Sequence, residues 1–136
     1  MSRTVVYLEA GNLTQDLLNI KWTLLSVGCS IGSAWHENQP DISGLKNHWN
    51  RGVERLQLCD SLVVICGNND RFAAELALMA GFALARGLQV IWIGPAVRGL
   101  SGFRAVQHFE TAEGYWKQLL QQVPSRLAPT TEGWAA

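Results

Sequence analysis

The chain has 136 residues, 48% of them hydrophobic and 16% charged, with 11 Lys and Arg balancing 11 Asp and Glu. Zero net charge argues against a nucleic-acid surface, which shows as a basic domain or stripe, and the apolar content excludes a disordered chain. A single domain of this size buries roughly two-thirds of its unfolded surface, so a core forms without disulfides or metals. The three cysteines, Cys29, Cys59 and Cys66, match neither a disulfide framework nor a CxxC metal pair and read as reduced thiols. No stretch reaches the roughly 18 uninterrupted apolar residues of a membrane span, because Arg86 and Gln89 break the richest one. Met1 to Thr4 runs into an apolar strand with no hydrophobic leader, so a soluble, cytoplasmic protein is expected, with neither nucleic acid nor membrane as partner.

Thr4 to Leu8 is a short β-branched run that predicts a buried strand, ending at the turn Glu9-Ala10-Gly11-Asn12. Leu13, Leu17, Ile20 and Leu24 then recur on one face of a helix that stops at Gly28. Cys29 to Trp35 is a second strand, weakened by Gly32, and His36 to Pro40 is a loop. Asp41 opens a helix whose apolar stripe is Ile42, Leu45, Trp49, Val53 and Leu56, interrupted by Gly44 and Gly52. Ser61 to Cys66 is the clearest interior strand, and Gly67 to Asp70 breaks it. Arg71 to Arg86 suits a helix closed by Gly87, Leu88 to Ile93 is another buried strand, and Gly94-Pro95 ends it. Val106 to Phe109 reads as a short edge strand, and Thr111 caps a last helix to Val123. Residues 1–123 thus make one α/β domain, and 124–136, with two prolines in view of Trp134, a tail that could dock on a neighbouring subunit.

This alternation predicts a doubly wound, mostly parallel sheet with helices on both faces, in which ligands lie outside the carboxyl ends of the strands. The strand-end segments to interrogate are residues 7–12, 35–39, 66–75 and 94–103. There is no Walker lysine loop, GxGxxG, HExxH or GxSxG, so nucleotide-triphosphate, dinucleotide, zinc-protease and hydrolase-elbow chemistry lose their support. His36 and His48 have no partner at ligand spacing, and no metal or cofactor is expected. Carboxylates remain. Glu9, Glu37, Asp70 and Glu75 fall at or near strand ends, where a carboxylate serves as nucleophile, general acid or general base.

The chain resembles the nucleoside 2-deoxyribosyltransferase-like family. The resemblance lies in Val6-Tyr7-Leu8-Glu9-Ala10-Gly11, in Cys59-Asp60-Ser61-Leu62-Val63-Val64 and in the run from Gly81 to Val90, and with the element order it spans residues 3–120. It implies a flavodoxin-like sheet in the order 2-1-3-4-5 and attack on the anomeric carbon of a nucleoside by a glutamate. That glutamate precedes the family's helix glycine by two positions, and here the position is Met79, whose thioether cannot form a glycosyl ester. Glu75, one helical turn earlier and read as second-turn, is the candidate to replace it as nucleophile, although the residue reads equally as a solvated helix-start carboxylate.

By the same resemblance Tyr7 would hold the nucleophile by a hydrogen bond, and Asp60 and Asp70 are acid candidates. Asn68, Asn69 and Met79 would contact sugar or base. Glu9 replaces a small residue beside Gly11 in the family turn, and so alters the pocket. Asp70 also reads as a helix cap, Asp60 as an orienting group at a strand entrance, and Met79 and Cys66 as packing. Trp35, after the second strand, could stack on a base. The expectation is a homo-oligomeric transferase or hydrolase of N-glycosidic bonds acting on a small nucleoside or nucleotide. The alternative is a non-catalytic nucleotide or nucleotide-derived-signal binder on the same fold.

Overall fold

A computed structural model describes residues 4–11, 14–32, 52–100 and 102–122. Five strands, β1 (Val5–Ala10), β2 (Ser30–Ile31), β3 (Ser61–Ile65), β4 (Gln89–Ile93) and β5 (Val106–Phe109), form one sheet in the order β2-β1-β3-β4-β5. Every neighbouring pair is parallel. This is the flavodoxin-like arrangement that the resemblance implies. The three helices bounded within the described residues are α1 (Gln15–Ser26), α2 (Ala73–Ala85) and α3 (Ala112–Leu120); residues 52–56 are also helical and lead into β3.

The strands are near-continuous apolar runs because both faces of the sheet are covered. Alternation then sorts their side chains. Tyr7, Leu62, Val64, Val90 and Trp92 face Leu76, Met79, Ala80 and Ala83 of α2. Val6, Leu8, Val63 and Ile93 face Leu17, Ile20 and Leu24 of α1 with Tyr115 and Leu119 of α3. Thr14 caps α1 by accepting from the Leu17 amide at 3.3 Å, and Thr111 caps α3 by accepting from Gly114 at 3.1 Å. Helices α1 and α2 end alike, with Gly28 (φ +94°) and Gly87 (φ +81°) in the left-handed region. There Cys29 and Leu88 donate back to Leu24 and Ala83, and each glycine amide donates to Leu25 or Leu84.

Several boundaries differ from expectation. Strand β1 runs two residues beyond Leu8, since Glu9 and Ala10 continue the ladder opposite Val64 and Ile65. Glu9 is therefore a strand residue, which decides its partners. Helix α2 begins at Ala73 instead of Arg71, because Asp70 holds the two preceding residues in a turn. Helix α3 stops at Leu120, short of Val123. Strand β2 is confined to Ser30–Ile31, and Trp35, with most of the helix expected after Asp41, lies outside the described residues, as does the tail 124–136. Among the described residues no helix is long and apolar enough to cross a membrane.

Candidate functional site at the carboxyl edge of the sheet

Residues two apart on a strand share a face, so Tyr7 and Glu9 both project from β1 toward α2. The Tyr7 hydroxyl donates to Glu9 Oε2 at 3.2 Å, and the Ala10 amide donates to Oε1 at 3.3 Å. Tyr7 is 1% exposed and Glu9 is fully buried. The tyrosine hydroxyl also meets two other elements. A side chain at Gly52, in the helical segment before β3, would collide with the Tyr7 hydroxyl, at 2.7 Å, and with the terminal methyl of Met79. Strand, α2 and the 52–56 segment therefore close on one point, and the absence of a Cβ at Gly52 leaves room for it.

Glu75 lies in the first turn of α2, one turn before Met79 and on the same flank. The late start of the helix puts it there and not in the second turn. Its side chain is half-buried, and Oε2 is fully buried with no hydrogen-bond partner. Buried carboxylate oxygens without a donor are rare in native structures, and a catalytic role is one of the explanations for such an atom. The Tyr7 hydroxyl, which the resemblance assigns to the nucleophile, donates to Glu9 here.

The other expected residues divide by position. Asp70 accepts from the Phe72 amide at 2.8 Å and from the Gly67 amide at 3.2 Å, and its carboxylate sits on the α-carbon of Gly11, where any side chain would strike it. It caps the turn that leads into α2, while the N-cap residue Phe72 has no side-chain cap, so Asp70 ties the turn after β1 to the turn after β3. Asp60 lies at the opposite, amino edge, where Oδ2 accepts from the Val5 amide at 2.8 Å and its own amide donates to the Val5 carbonyl at 2.8 Å. The length of β3 separates it from Glu9 and Glu75, so the structure does not bring it to the site. Met79 is 2% exposed and packs in the core with Tyr7 and Leu76. Cys66 is buried too; burial pushes its thiol up, and the nearby Asp70 charge adds to this, as suits an inert packing group.

Asn68 and Asn69 occupy the exposed turn after β3, with Asn69 in the left-handed region (φ +55°) that asparagine tolerates. Asn68 borders a cleft of about 260 Å³ with Gly94, Pro95, Ala96, His108 and Glu110. His108 donates from Nε2 to the Gly94 carbonyl at 2.7 Å, since a carbonyl can only accept. The sequence reading missed His108 and Glu110. Applying the strand-end rule to β5 as well as to the first four strands would have found them. Among the described residues no group of three or more His, Cys, Asp and Glu side chains is placed to hold a metal.

With sheet order and strand-end geometry in view, the chain is similar in fold to solved structures. A 2-deoxyribosyltransferase from the psychrotolerant bacterium Bacillus psychrosaccharolyticus superposes with a TM-score of 0.61, over 85% of this chain and 96% of that one, at 16% identity. The chain has the 2-deoxyribosyltransferase fold. A CMP N-glycosidase from Clostridium botulinum superposes with a TM-score of 0.54, over 85% of this chain and 98% of that one, at 17% identity. No protein-family model and no curated protein sequence matches the chain. At such identities the likeness is one of fold, and within this deoxyribosyltransferase fold the chain's own carboxylates have to carry the functional argument.

Proposed function

We propose that this chain cleaves or transfers the N-glycosidic bond of a small nucleoside or nucleotide, with Glu75 as the attacking carboxylate. The observation that carries the reading is the buried, unpartnered Oε2 of Glu75 at the carboxyl edge of a deoxyribosyltransferase fold. A carboxylate left short of donors is a reactive nucleophile, and substrate supplies the missing interactions. In the first step a Glu75 oxygen bonds to the anomeric carbon as the C–N bond breaks, its electron pair leaving with the base. In the second, water or another base attacks the same carbon and the carboxylate departs. Asp70 supports the turn ahead of Glu75 in this scheme, accepting from the Gly67 and Phe72 amides. A neighbouring copy of the chain completing the pocket belongs to the same reading.

Met79 favours a second reading. It stands where the resemblance places the nucleophile and is packed into the core, as in a site that binds a nucleotide without cleaving it. Chromatography of free base after incubation with a panel of nucleosides and their 5′-monophosphates separates the two. The expected result is base release by the wild type, slowed at least about a thousandfold by Glu75→Ala. Binding of a nucleotide in a thermal-shift assay with no release by either protein would establish the non-catalytic reading instead.

A further inference from the structure

We propose that the outer face of α2 is a homodimer interface, on which a second copy of this chain packs its own α2 antiparallel about a two-fold axis. This assembly does not depend on the N-glycosidic reading above, although it gives that reading's neighbouring copy a defined face. Between Glu75 and Arg86 the helix carries no polar side chain, so it is apolar all round. Leu76, Met79, Ala80 and Ala83 are buried against the sheet. Ala74, Leu78, Gly81 and Ala85 form the opposite face and are exposed, with Leu78 74% accessible. Apolar side chains on every face are the mark of a helix that is covered on every face, and the sheet covers only one.

The pattern of the outer face selects a second copy as its occupant. Ala74, Leu78, Gly81 and Ala85 follow one another at the alternating spacing by which one helix seats on another. This seam is self-complementary under a two-fold axis that crosses it midway between Leu78 and Gly81. Such an axis sets Ala74 opposite Ala85 and Leu78 opposite Gly81, and does so twice. Leu78 is the projecting side chain of the face, and Gly81 is its depression, since a β-carbon built there meets nothing within 4 Å. Each leucine therefore seats over a glycine, and the alanines at both ends let the helices approach closely. An isologous pairing of this kind closes on itself as a dimer. The flanking charges agree with the same register. Glu75 and Arg86 are about three turns apart and so lie on one flank of α2. The Arg86 guanidinium lies back along that flank, 5.4 Å from the centre of the Phe82 ring. Antiparallel pairing brings Arg86 of each copy to the Glu75 end of the other, offset by about 3 Å at the helical rise per residue, so opposite charges meet at both ends. Parallel pairing would set Leu78 against Leu78 and like charges side by side.

Sedimentation velocity of the full chain and of Leu78→Asp tests the face. The wild type is expected to be a dimer, and Leu78→Asp to weaken association about a hundredfold or more, since it puts a charge at the centre of the seam. Leu78 is largely exposed in the single chain, so the variant is expected to keep the wild-type circular dichroism. A monomeric wild type would overturn the proposal, as would a dimer that a folded Leu78→Asp leaves intact. Oxidative cross-linking tests the register, with the oxidised wild type as control for the native cysteines. Leu78→Cys mixed with Gly81→Cys is expected to give a cross-linked dimer that neither variant gives alone. Cross-linking of Leu78→Cys with itself would overturn the antiparallel pairing. None of these readouts involves base release, so failure of the dimer and failure of the N-glycosidic reading are seen separately.

Discussion

At Glu75 stability and binding pull in opposite directions. Leaving a buried polar atom without a partner costs about 1–3 kcal/mol, and this cost falls on the free protein. Glu9 shows the contrast, being more deeply buried yet accepting from the Tyr7 hydroxyl and the Ala10 amide. Glu75→Gln, which keeps the shape and removes the charge, is therefore expected to raise stability by about 1 kcal/mol, even after losing a favourable charge in the first turn of α2. Thermal unfolding would register this as a melting temperature a few degrees higher; an unchanged or lower one would mean that the carboxylate carries no stored cost. Tyr7 and Glu75 could each be picked out of the sequence, but the Tyr7–Glu9 contact could not. The resemblance placed Tyr7 beside the nucleophile on α2, whereas strand alternation puts Glu9 on the same face only two residues away. The prediction that β1 ended at Leu8 hid this, because a turn residue has no fixed face.

Among the elements, α2 is positioned by its entry as much as by its packing. Its sequence is apolar apart from Glu75, so hydrophobic burial seats it against β3 and β4 but does not fix where it begins. Asp70 does, by accepting from Gly67 and Phe72 and bearing on Gly11. On the other face α1 and α3 pack through Leu17, Ile20, Leu24, Tyr115 and Leu119, and a buried polar contact ties them together. The Trp116 indole donates to Thr23 Oγ1 at 2.9 Å, while the same hydroxyl donates to the Asn19 carbonyl at 2.8 Å. Thr23→Val preserves the shape but removes the acceptor that Thr23 offers the indole N–H, so a loss of about 1–3 kcal/mol is expected in urea unfolding. Thr23→Ser should recover most of it, and equal losses for the two variants would locate the effect in the methyl group instead. The apolar periodicity of α1 was plain in the sequence. Thr23's hydroxyl was not, because its partner is 93 residues away.

For the molecule as a whole, burial pushes Cys29, Cys59, Cys66 and Tyr115 in one direction, raising each above its ordinary value. A neighbouring carboxylate adds to this at Cys59 and Cys66. The sign follows from linkage: a group whose proton is held more tightly in the folded state contributes stability below its unfolded pKa and loses it as pH climbs toward the folded value. Stability should therefore hold through neutral pH and fall once the ordinary thiol value of 9.0 is passed. Melting curves taken from neutral pH to about pH 10 would follow the fall, and a flat profile would show that these groups ionise as freely in the fold as outside it.

The sequence by itself determined the class of architecture and the edge of the sheet to inspect. Period-two and period-3.6 patterns, helix stops at Gly28 and Gly87, and the cap at Thr111 are local, so neighbouring residues suffice to reveal them. Only the tertiary structure decided which carboxylate Tyr7 serves, that Asp60 belongs to the far edge, and that Glu75 keeps an unpaired buried oxygen. Hydrogen-bond satisfaction and burial are properties of groups brought together from distant parts of the chain. No local pattern encodes them.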